Sequence, residues 1–153
     1  MTQLTPHFAL SEFTRSAKAQ ELGINNTPPN ELIPNLIRTA EMLERIRATL
    51  GRPVTITSGY RCPELNIKVG GVTSSDHTRG QSADIVCPGF GSPYEVAVLL
   101  APLVSTLGIG QLIYEGVKGK RWVHVSTQVP SKLLNRIITI TDDGVVVGIQ
   151  KIT

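Results

Sequence analysis

Cysteine, histidine and long apolar runs are all scarce in this chain, and each scarcity removes a class of protein. Only 2 of the 153 residues are cysteine. Cys62 and Cys87 are too few for a disulfide framework and are not spaced as a CxxC metal pair, so they read as free thiols. They flank the polar stretch of residues 74–86, which leaves a bond between them conceivable. No apolar run approaches the roughly 20 residues that a membrane span needs. The opening "MTQLTPHFALSEF" has no basic stretch followed by an apolar core, so no secretory signal peptide is expected there. Runs of like charge and basic patches interleaved with aromatics are also missing, which speaks against nucleic-acid binding. The formal net charge of +3 favours anionic surfaces, such as a cell envelope, only weakly.

What remains is a chain of single-domain length with 41% hydrophobic residues, enough to bury a core without staples. Its first third reads as helical. "LSEFTRSAKAQELG" offers Ser11 as an N-cap and Gly23 as a stop. "ELIPNLIRTAEMLERIRATLG" sets Leu36, Ala40, Leu43, Ile46 and Leu50 at helical spacing before Gly51, with Pro34 near the start. From residue 53 the pattern turns to strands: "PVTITSG", "SADIVC", "GQLIYE" and "RWVHVS". "SPYEVAVLLAPLVSTLG", with Ser92 and Glu95 as a capping box and Pro93 at its first position, interrupts them as a helix. "NRIITITDDGVVVGIQ" closes the chain as a hairpin. The expectation is an α+β fold, with N-terminal helices and a mainly antiparallel sheet carrying one packed helix. Its parts are a helical segment over 8–51, a site-bearing core over 53–127 and a C-terminal hairpin over 134–152.

The long connection "YRCPELNIKVGGVTSSDHTRGQ" exceeds the usual loop length, and such loops are functional or disordered. It carries His77, with Asp84 seven positions on at the next strand. Seven is not a helical-face spacing and suits a loop folding back on a strand. His124 alternates with Val123 and Val125, so it points away from them. Two imidazoles and a carboxylate on separate elements make a three-ligand zinc set with a fourth position open to water. Each ligand also has a plainer reading, a surface His–Asp pair and a packed strand histidine. His7 has no partner pattern and reads as surface.

The longer pattern resembles the M15 family of zinc peptidases, which includes peptidoglycan D-Ala-D-Ala carboxypeptidases and phage endolysins. "SGYRCPELNIKVGG", "SSDHTRGQSADI", "QLIYE" and "WVHVS" carry the resemblance, which runs from about residue 8 to residue 127. A serine stands two before the histidine, a glycine three after it, an aspartate seven after it, and a tryptophan two before the second histidine. By position, the resemblance implies the zinc D-Ala-D-Ala peptidase or Hedgehog-like fold, one zinc ion held by His77, Asp84 and His124, and Arg61 binding a substrate carboxylate. Ser75 and Gly80 match the frame of the loop. Ser82 stands where alanine is usual. Many relatives carry an acidic general base three before the second histidine, where this chain has Arg121. The branch it most resembles has instead a glutamate closing the preceding strand, which is Glu115 here.

Hairpin geometry bears on that base. If Lys118 and Gly119 form a two-residue turn, Glu115 opposes Trp122 and Ile113 opposes His124. Glu115 and His124 then share a face as diagonal neighbours about 7–8 Å apart. If all of "GVKGK" is loop, Glu115 opposes Arg121 and faces away. The glycine favours the shorter turn. Asp76 is the fallback base, and its plainer reading is loop surface. Trp122 walls the cleft or packs in the core, and Tyr60 reads as half-buried. Gly70 and Gly71 are assigned to positive-φ backbone.

The expected function is a zinc metallopeptidase cutting peptidoglycan stem peptides, as a monomer without nucleic-acid partner or membrane span. Synthesis in the cytoplasm and action at the wall after release, or as part of a virion, would suit a phage or prophage product. The competing expectation is a non-catalytic zinc module of the same fold.

Overall fold

A computed structural model describes residues 2–153. Positive-φ glycines close several of its helices and prolines open others. The chain opens with a short hairpin that the sequence did not announce, β1 (Gln3–Thr5) and β2 (Phe8–Ala9). The first expected helix is two, α1 (Leu10–Thr14) and α2 (Ala17–Leu22). Ser11 lies inside α1, and Ser16 is the residue whose side chain caps α2. The break has a cause: Arg15 is extended, and the Phe13 carbonyl accepts from Tyr60 N–H at 2.7 Å instead of continuing a helix. α3 (Ile33–Leu50) runs as expected from Pro34 to Gly51 and buries Leu36, Ala40, Leu43, Ile46 and Leu50.

Next come β3 (Thr55–Ser58), α4 (Pro63–Lys68) and β4 (Ser82–Val86). The long connection is thus ordered by a helical turn and half, followed by a 3₁₀ turn over Asp76–Arg79. The helix read after residue 92 divides into α5 (Pro93–Leu100), a 3₁₀ turn and α6 (Val104–Leu107). Pro102 lies in that turn, where its missing N–H and ring disfavour a continuous helix. β5 (Gln111–Val117) and β6 (Lys120–Ser126) form a hairpin, and β7 (Ile137–Thr141) and β8 (Gly144–Val147) a second one.

Six strands make one sheet in the order β3-β4-β6-β5-β7-β8. All neighbours are antiparallel except β5 and β7, which run parallel, so the sheet is mixed. One face carries Ala83, Ile85, Leu112, Tyr114, Val123 and Val125, all buried in a single core with α3 and α5. The alternate residues of β4, β5 and β6 point to the opposite face, where the site lies. No helix among the described residues is long and apolar enough to cross a membrane.

Candidate metal centre

The β5–β6 turn settles the register. Lys118 and Gly119 both have positive φ, 52° and 78°, as a two-residue hairpin turn of the primed type requires. Val117 then pairs with Lys120, Glu115 with Trp122 and Ile113 with His124. On the other side of β6, His124 pairs directly with Asp84. Asp84, His124, Trp122 and Glu115 therefore share one face. Arg121, an odd number of residues from His124, falls on the other, where its side chain lies against Gly116.

His77 reaches this face from the 3₁₀ turn. Ser75 caps the turn by accepting from His77 N–H, and Gly80 ends it at φ 71°. A side chain at Gly80 would be strained in backbone and would press on Leu36 of α3. Thr39 and Asn35, also on α3, donate to the carbonyls of Gly80 and Arg79 at 2.7 and 2.9 Å. The core helix thus anchors the loop that presents His77.

Three donors converge. His77 Nε2 lies 3.4 Å from Asp84 Oδ1, and His124 Nδ1 lies 3.0 Å from the same oxygen. The donor atoms of the three residues all lie within 4.8 Å of one another. A tetrahedral ion with bonds of about 2.0–2.1 Å holds its donors about 3.3 Å apart, so the set fits a metal of zinc's size. His77 Nδ1 donates to the Gly59 carbonyl at 2.7 Å, which turns Nε2 toward Asp84. The residues present can hold a metal ion, and the donor set suits zinc.

The electrostatics follow from crowding charge into a buried place. Burial alone would raise the Asp84 carboxyl, but the charge of His77 and bonding to both imidazoles hold it far below the usual carboxylate range. Burial would lower His124, yet the Asp84 hydrogen bond and charge outweigh it and push His124 up. Glu115 is pushed up by burial and then by the Asp84 charge, with His124, Trp122 and Arg61 opposing. Burial lowers Arg61, against the pull of Asp84 and Glu115. Arg61 extends Nη2 to Ser75 Oγ at 3.3 Å, and its Nε is buried without a partner. All five residues picked from the sequence thus lie in one electrostatic cluster.

Of the other residues singled out from the sequence, Asp76, Tyr60 and Gly71 sit differently from their reading. Asp76 is neither loop surface nor a free base: its carboxylate receives the Ser126 hydroxyl at 2.7 Å and pairs with Arg79. His7 is on the surface as expected, with ring Nδ1 and backbone N–H both 2.7 Å from the Glu44 carboxylate on α3. Tyr60 belongs to the core at 4% exposure. Gly70 has φ 77°, whereas Gly71 does not and is needed for space, since a Cβ there would strike the Asn66 amide. Cys62 and Cys87 are both free.

Two supporting residues escaped the sequence reading altogether. Gly59 touches α1 so closely that a Cβ would stand 2.7 Å from the Phe13 Cα and O, and its carbonyl orients His77. Asn26 donates to the carbonyls of Thr14 and Tyr60 and accepts from Cys62 N–H, which fixes the turn bearing Arg61. Neither residue type in isolation signals a contact 34 or more positions away.

The sequence model of the peptidase M15 family matches residues 6–126, which span every element of the centre. No curated protein matches the chain. β7 and β8 lie beyond the matched stretch.

Proposed function

The chain belongs to the peptidase M15 family, and from that premise we propose a zinc-dependent peptidase acting on peptidoglycan stem peptides. The observation that carries the reading is the convergence of His77, Asp84 and His124 on a face that also presents Glu115. His77, Asp84 and His124 would hold one zinc ion. Zinc bound by three protein ligands supplies a Lewis acid that polarises a scissile carbonyl and makes water a nucleophile near neutral pH.

The chain's own residues do the remaining work. Glu115, made more basic by burial and by the Asp84 charge, takes the proton of the attacking water. The same group then returns a proton to the leaving amine. Arg61 anchors a substrate carboxylate with its guanidinium, which suits the carboxylate-rich stem peptides of the wall. Its buried Nε has no protein partner, so the guanidinium is not fully satisfied within the chain. We place the enzyme's action at the cell wall or periplasm after release, or within a virion, as a phage or prophage product, on the resemblance noted above.

A digest of purified peptidoglycan, with soluble products identified by mass spectrometry, tests the reading. New peptide ends made by the zinc-loaded protein and not by His77→Ala establish the activity and name its bond as carboxypeptidase or endopeptidase. No new ends across several wall chemistries, with one zinc bound, would replace the peptidase with a non-catalytic zinc module.

A further inference from the structure

Trp122 is the chain's single tryptophan, and the strand register sets it directly across from Glu115. It stands two residues before His124 on the same strand and face, so its distance from the metal centre is set by backbone geometry. Its ring N–H is buried and stops short of a full hydrogen bond with any protein acceptor. A buried donor left unpaired is costly, and one beside a candidate active site calls for a reason. The carboxylate that feels this N–H is that of Glu115. The other groups acting on Glu115 are Asp84, His124 and Arg61. Two of these are the proposed metal ligands and the third is assigned to substrate. Only Trp122 is free to serve Glu115 itself.

A glutamate has three side-chain torsions, and a base must be held close to its working geometry to be effective. An indole is suited to that task because it donates and cannot accept, so it can hold a carboxylate without competing for the proton. We propose that Trp122 is a positioning residue whose indole N–H holds one oxygen of Glu115 and leaves the other to handle the proton. The inference rests on the reading of Glu115 as general base. Plain core packing of the ring, the alternative, predicts that the N–H is dispensable.

Trp122→Phe keeps an aromatic ring and removes only the donor and part of the ring system. The expected result is a fall in kcat of about ten- to a hundredfold, the scale of a hydrogen bond to a charged group, with KM and bound zinc nearly unchanged. An unchanged kcat, or a loss of bound zinc that accounts for the fall, would overturn the proposal. A second readout needs neither metal nor turnover. In metal-free ¹⁵N-labelled protein the one indole N–H gives one resonance, which Glu115→Ala should move upfield and expose to faster solvent exchange. A resonance unmoved by that substitution sinks the pairing even if the Phe variant fails to fold. If the resonance moves but the wild type cuts no peptide, the pairing stands and the peptidase reading is what fails.

Discussion

On one face of β4, β5 and β6 lie Ala83, Ile85, Leu112, Tyr114, Val123 and Val125, none more than 4% exposed. On the other face of the same three strands lie Asp84, Glu115, Trp122 and His124. The backbone hydrogen bonds serve both sets equally, so the two faces differ in side chains alone. The first face is held by area and fit, and its residues could be exchanged for others of similar volume at modest cost. The second face removes a carboxylate and an imidazole from water, and their mutual attraction offsets only part of that desolvation. The core face therefore stabilises the fold, and the site face draws on that stability to hold a reactive arrangement. A one-residue slip of β6 would exchange the two sets, and the tight Lys118–Gly119 turn prevents it.

The comparison is broken most severely by one substitution on each face. Asp84→Ala should abolish bound metal and hydrolysis, read by elemental analysis and product formation, while the protein still folds cooperatively. Leu112→Ala, on the opposite face, should cost about 2–5 kcal/mol in denaturant unfolding while the folded fraction still binds metal. Metal lost in both, or in neither, would mean that the faces are not separable.

Gly59→Ala probes the link between them. Its Cβ would meet the Phe13 backbone, and the resulting shift would pull the Gly59 carbonyl from His77. Metal affinity should fall by about ten- to a hundredfold, the usual cost of losing a ligand's orienting partner. Calorimetric titration reads it directly.

Acidity gives a smaller, graded effect. Although burial lowers it, the Asp84 hydrogen bond and charge raise His124 above its ordinary value, so the metal-free protein holds that proton to higher pH than a free imidazole, and metal must displace it. Apparent metal affinity should therefore drop about tenfold per pH unit below that pKa. For the metal-free fold the sign is opposite. A raised folded-state pKa contributes stability that is complete below the unfolded value of about 6.5 and is lost as pH rises through the folded one. Thermal unfolding with and without zinc should show the two trends crossing.

The smallest expected effect is a gain. Ser82 is fully buried on β4, and its hydroxyl has no partner. Ser82→Ala should stabilise the protein by about 1 kcal/mol in denaturant unfolding, with metal binding unchanged.

The site was more legible in the sequence than the fold around it. Alternation about His124 and the glycine of a two-residue turn are local signals, and they favoured the register, observed in the structure, that puts Glu115 and His124 on one face. The helix stops at Gly23 and Gly51 and the capping box at Ser92 are local too, and all three hold. What escaped depends on contacts distant in sequence. The pairing of β7 parallel to β5 follows from where the chain returns after residue 127, and no residue within "IITIT" announces it. The division of α1 from α2 answers to Tyr60, 47 positions beyond Phe13. Gly59 and Asn26 act through neighbours brought close only by the finished fold.

The most direct test of the account is Glu115→Gln, which preserves the shape of the side chain and removes its basicity. Bound zinc and unfolding midpoint should match the wild type, while cleavage of peptidoglycan falls to background. Cleavage that continues at the wild-type rate would contradict the account, since the site face would then lack the base assigned to it.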